Sequence, residues 1–184
     1  SLRRSTLILT AALATFGAVS AAPAATVLGK DQFALGRSTK SGAVCQATRN
    51  YDDPATQGRG AREWDVSCRG WEGRLGRLYL YSWQGERQVA DGGPWAKALA
   101  AQVTCAAPAK IELPGLAKVT RAACKPKNAR YGYVAYTAER SGRAVAADGL
   151  PQIADVLETG LRVVSGAVRE PKATQDLPAA SSGG

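Results

Sequence analysis

The chain contains no histidine at all. That absence removes the commonest general base, and with it the Ser–His and Cys–His pairs that activate a nucleophile. A zinc site would have to draw on four widely spaced thiols, since no C-x-x-C pair occurs. No glycine-rich phosphate loop or dinucleotide fingerprint is present either. Carboxylate chemistry is what remains, and its candidates are Asp52, Asp53, Glu63, Asp65, Asp91 and Asp148. Most of them fall in loops or at strand ends, and turn formation or helix capping accounts for Asp91 and Asp148. The reading is therefore of a protein that is not an enzyme, with no catalytic residue, no metal site and no cofactor assigned. A carboxylate-dependent hydrolase is the remote alternative.

What the chain does carry is positive charge and cysteine. Lysine and arginine number 24 against 15 acidic residues, a formal charge of +9. The basic residues are scattered, which suits a solubilising surface, but the excess also suits anionic partners such as cell-wall polymers or lipid head groups. No nucleic-acid partner is expected. Arg3 and Arg4 precede an apolar run over residues 7–19 and small residues at 19–24, the grammar of a secretory signal over residues 1–25. The run is too short for a resident spanning helix, so no transmembrane anchor is expected after signal removal, and the location is periplasmic or secreted. In such a compartment Cys45, Cys68, Cys105 and Cys124 form two disulfides. Three connectivities are possible. One bridge per half, Cys45–Cys68 and Cys105–Cys124, is the economical choice; a cross-half link such as Cys45–Cys124 is the competing one.

Residues 85–94 read GERQVADGGP and residues 142–151 read GRAVAADGLP. Gly, Ala, Asp, Gly and Pro recur at the same five places. Around each copy the order of patterns is similar. Alternation predicts strands over residues 44–49, 64–68 and 78–83, a loop over 50–62, a returning strand over 87–90, and a helix over 95–103 opened by Pro94. The second half answers with strands over 103–105, 119–124, 131–137 and 143–147. Pro151 then opens a helix whose apolar residues are Ile153, Val156, Leu157, Leu161 and Val164. Gly160 weakens its last turn. In both copies Asp-Gly is expected to break the strand, with glycine supplying a positive φ. Phe33 and Leu35 can start one extra strand.

The expected fold class is α+β: two pseudo-repeats of disulfide-linked antiparallel β-strands, each closed by one α-helix. The first repeat covers residues 26–103 and the second 104–168. Residues 169–184, poor in apolar bulk, read as a disordered tail or linker.

Aromatic residues crowd the first half: Trp64, Trp71, Tyr79, Tyr81, Trp83 and Trp95, with Arg69, Arg74, Arg77 and Arg87 among them. Such a face can stack on sugars or anchor a protein. Alternate aromatics can equally be core, with the arginines at its rim. Trp71 and Trp83 fall at turns, so they and Arg69 and Arg74 are the candidate binding residues.

The stretches CRGWEGRLGRLYLYS and VAADGLPQIADVLETGLRVVSG resemble the N-terminal extracytoplasmic region of alpha-proteobacterial proteins that continue into tetratricopeptide repeats and a caspase-like CHAT domain. The resemblance covers most of residues 28–168. It implies a leading module of a longer protein, with the His/Cys chemistry of that family belonging to another domain. Trp64-Asp65-Val66-Ser67-Cys68 is also similar to the W-x-V-x-C strand of small secreted invasion-associated proteins. The expected role is an exported, non-enzymatic binding module whose partner is a protein or a downstream domain of the same chain. The alternative is a binder of cell-envelope glycan or another anionic polymer.

Overall fold

The computed structural model describes residues 28–51, 61–81 and 102–182. The alternating segments become strands: β1 Gln32–Arg37, β2 Val44–Asn50, β3 Arg62–Cys68, β4 Gly76–Leu80, β5 Val103–Cys105, β6 Ala109–Lys110, β7 Ala117–Pro126, β8 Tyr133–Arg140 and β9 Arg143–Gly149. They form one antiparallel sheet in the order β1-β2-β3-β4-β9-β8-β7-β5, with β6 also pairing with β7. Pro151–Ile153 is a 3-10 turn that runs into α1, Ala154–Val164. The fold class is α+β.

Both expected disulfides of the one-bridge-per-half scheme are present. Cys45 bonds Cys68 and Cys105 bonds Cys124. In each case the two cysteines are direct cross-strand partners, β2 with β3 and β5 with β7. Sequence separations of 23 and 19 residues put the loop-closure contribution of each at about 3 kcal/mol. The two halves share one sheet rather than folding as separate units, because β4 pairs with β9 from Gly76↔Gly149 to Leu80↔Val145. The returning strand expected over residues 87–90 and the helix over 95–103 lie outside the described residues.

Helix α1 is what makes the sheet a core. Its apolar stripe of Val156, Leu157 and Leu161 is fully buried, and each leucine contributes about 1.5–3 kcal/mol relative to exposure. The contact is reciprocal. Leu157 sits on the cross-strand glycine pair Gly76 and Gly149, where a Cβ would come within 2.9 and 3.0 Å of its methyls. Leu78 in turn fills the gap at Gly160, where a Cβ would lie 2.6 Å from Cδ1. Gly160 therefore belongs in the helix interior for packing and does not mark its end.

The helix touches β4, β9 and β8 and also β1.

Two sequence expectations are corrected here. Asp148 and Gly149 do not break the strand: β9 runs through Gly149, which pairs with both Gly76 and Val134. Glycine is required there by the closeness of Leu157 and the Gly76 backbone, not by a positive φ. Nor does Asp148 cap the helix, since the cap position before Pro151 is Leu150 and carries no side-chain bond. The second correction concerns the segment after residue 168. Residues 175–181 dock as a strap: Arg37 N–H donates to the Gln175 carbonyl at 2.7 Å, and Leu177 N–H returns to the Arg37 carbonyl at 3.0 Å. Leu177 is buried. One leucine in a polar stretch suffices because Gly36, at φ 85°, lets the strap come so close that a Cβ would sit 2.7 Å from the Gln175 carbonyl.

Two carboxylates on α1 tie these pieces together, and both are buried. Asp155 accepts from Ser38 Oγ at 2.8 Å and from Thr39 N–H at 2.7 Å, fastening the helix to the turn after β1. Glu158 accepts from the Tyr136 hydroxyl at 3.0 Å and from Ser181 N–H at 3.0 Å, fastening it to β8 and to the strap.

Candidate binding surface

The register of β1, β2 and β3 brings residues of one face into a row. Phe33 pairs with Ala47 and Arg49 pairs with Trp64. With side chains alternating along each strand, two residues from each element reach the same face at this end: Asp31 and Phe33, Arg49 and Tyr51, Arg62 and Trp64. Together with Lys30 and Gln32 they line an open groove of about 460 Å³.

At its centre the Arg49 guanidinium carbon lies 4.9 Å from the Trp64 ring centre and 5.2 Å from that of Tyr51. Contacts of this kind are worth about 0.5–1 kcal/mol each when exposed. Arg49 also donates to the Glu63 carbonyl at 3.3 Å. Phe33 meets Trp64 edge to face at 6.2 Å. The Tyr51 hydroxyl donates to Asp31 at 2.9 Å, and that bond raises the phenol above its ordinary pKa. Tyr51 nevertheless keeps 58% of its surface exposed, while Arg62 and Lys30 are exposed as well. Among the described residues of the groove, three cations thus stand beside one carboxylate, Asp31, and that carboxylate is engaged.

The expected binding residues are distributed differently. Trp71, 39% exposed in the turn after β3, and Arg69 line a smaller cleft of about 300 Å³ beside the Cys45–Cys68 bridge, floored by Ala34, Gln46 and Ser67. Arg74 is not part of it and pairs with Asp65 at 3.4 Å. Trp83 lies outside the described residues, as do Arg87, Trp95, Asp52, Asp53 and Asp91. The larger groove was missed because its arginines sit in strands. Its signal was the alternation Arg49-x-Tyr51 and Arg62-x-Trp64, which becomes a surface only once the strands are in register.

On the opposite face the carboxylates gather around arginine. Arg77 lies 3.8 Å from Glu63 Oε1 and 3.6 Å from Asp148 Oδ1, and the Tyr79 hydroxyl donates to Asp148 at 3.1 Å. Burial raises the Asp148 carboxyl above the ordinary aspartate range, against the opposing pull of Arg77 and the Tyr79 bond. Burial likewise raises the Tyr79 phenol, assisted by Asp148. Glu63 is buried completely. One guanidinium here serves two carboxylates, offsetting part of their mutual repulsion.

Among the described residues no group of three or more carboxylates or thiols is placed to hold a metal ion, and no helix is long and apolar enough to cross a membrane. No protein-family model matches the chain, and no curated protein or solved structure matches it either.

Proposed function

We propose that the chain is an exported, non-enzymatic binding module, the leading domain of a larger extracytoplasmic protein, that holds its ligand at the exposed end of β1–β3. The observation that carries this reading is the groove built on Arg49, whose guanidinium is stacked on two rings within a concavity of about 460 Å³. That volume falls within the usual range of small-ligand sites. Two disulfides between strand neighbours suit an oxidising compartment. Among the described residues, four carboxylates have internal partners: Asp148 and Glu63 pair with Arg77, Asp155 with Ser38 and Thr39, and Glu158 with Tyr136 and Ser181.

The test is equilibrium binding of the mature oxidised protein to separated envelope fractions: proteins, peptidoglycan and lipopolysaccharide. Saturable binding to one fraction without consumption of the ligand is expected. Tyr51→Ala should weaken it about 10-fold, the loss of one well-placed contact. Turnover of the bound material, or no binding to any fraction, would sink the proposal.

A further inference from the structure

We infer that the Arg49 groove recognises an acidic glycan, with a sugar carboxylate or phosphate on the guanidinium of Arg49 and the pyranose ring against Tyr51. This rests on the binding-module reading and specifies its ligand. Three features of the groove carry it.

Arg49 is pre-organised. Its guanidinium is stacked on Trp64 and Tyr51 and hydrogen-bonded to the Glu63 carbonyl. A planar fork fixed in this way loses little freedom on meeting an anion. Among the described residues the charges around it are unbalanced: Lys30 and Arg62 are exposed on the rim, and Asp31, the one carboxylate among the described residues of the groove, already accepts from Tyr51. An anionic ligand is therefore matched and a cationic one is repelled.

The aromatic component suits a pyranose. Arg49 lies over both Trp64 and Tyr51, and the Tyr51 side chain, 58% exposed, presents aromatic surface to a ring of the ligand. The disulfide-bonded, extracytoplasmic character of the chain points the same way, to polymers of the envelope.

The experiment is calorimetric titration of the oxidised mature protein with four probes of similar length: an oligogalacturonate, a phosphorylated mannan oligosaccharide, a neutral dextran and an oligo(dT). Binding of one or both acidic sugars, and not of dextran, is expected; which of the two binds more tightly assigns the carboxylate or the phosphate. The affinity should fall as salt is raised from about 0.01 to 0.15 M, since the rim charges are exposed. Arg62→Gln, at an exposed position where folding is not at stake, should weaken binding about 10-fold. Arg49→Lys keeps the charge but loses the fork, and should weaken it at least as much while the protein still folds, its two disulfides formed and its circular dichroism retained. Equal binding of dextran, tighter binding of oligo(dT), or indifference to Arg62→Gln and Arg49→Lys overturns the inference. If no acidic sugar binds while an envelope fraction still does, the ligand assignment falls and the binding-module reading stands. If no fraction binds either, both fall.

Discussion

Replacing Gly160 by alanine sets two well-known effects against each other. In an exposed helix interior the change stabilises by about 1 kcal/mol, because alanine has the better helix propensity. Here the new methyl would lie 2.6 and 2.7 Å from the two Cδ atoms of Leu78, which is fully buried. Carbon atoms pack best at about 3.5–4.0 Å, so the methyl intrudes by about 1 Å. Leu78 cannot swing away freely, because β4 is held by β3 on one side and β9 on the other. Overpacking a filled core costs about 1–3 kcal/mol, and an intrusion of this depth belongs in the upper part of that range. The net expectation is a destabilisation of about 1–2 kcal/mol.

Urea unfolding of the oxidised protein measures this directly. With an m-value of about 2 kcal/mol/M the midpoint should fall by about 0.5–1 M. Leu78→Ala supplies the internal control. Alone it should cost about 2–5 kcal/mol through the cavity it leaves. In that background Gly160→Ala should become neutral or stabilising, because the methyl enters vacated space and the propensity gain returns. The cycle should then show a coupling of about 1–3 kcal/mol. A Gly160→Ala protein more stable than the parent, or a cycle that is additive, would refute the packing argument and restore Gly160 to an accident of composition.

Two further outcomes follow from the strap and from the polar face. Leu177→Ala should cost about 2–3 kcal/mol and speed hydrogen exchange at Leu177 and Ser181, whose amides bond Arg37 and Glu158; exchange along β8 and β9 should be unaffected, and uniform loss of protection would mean the strap is no separate unit. The carboxyl carbon of Asp148, followed by NMR, should titrate above the ordinary aspartate value. Since the folded pKa is the raised one, the fold favours the protonated form: that contribution is present below the unfolded value and is lost as pH rises through the folded one. Asp148→Asn should flatten this part of the pH–stability curve, and a midpoint at or below the ordinary value would contradict the burial argument.

Much of the sheet could be read from residue alternation, because half-buried strands print their two faces directly into the order of residues. Residues 44–49, 64–68, 119–124 and 143–147 all fall inside strands, and one bridge per half, the economical choice among three connectivities that the sequence left open, is the pairing observed. What escaped was information that resides between elements. Gly149 looks like a strand breaker from its neighbours alone; its role depends on Leu157 and Gly76, which approach only when α1 lies on the β4–β9 seam. The strap looked like a linker because composition averages away a single leucine, while docking depends on where that leucine falls relative to Gly36. Trp71 and Arg69 were found as neighbours in sequence. Arg49, Tyr51, Arg62 and Trp64 needed the β2–β3 register to become neighbours in space.

The same distinction bears on charge. Counted along the chain, 15 acidic residues offset part of the 24 basic ones. The fold does not dispose of the two signs equally. Glu63, Asp155 and Glu158 are buried, whereas no lysine or arginine among the described residues is. Each of those carboxylates sits among hydroxyls, backbone amides or Arg77, and the charge it withdraws from the surface leaves that surface more basic than the formal balance states. Internal anions that latch α1 to the turn after β1, to β8 and to the strap thereby leave cations as the majority on the outside, and the Arg49 groove is where those cations meet aromatic planes in a concavity. Stability and the ligand preference proposed for the groove are in this way traced to one partition of charge between the inside and the outside of the sheet.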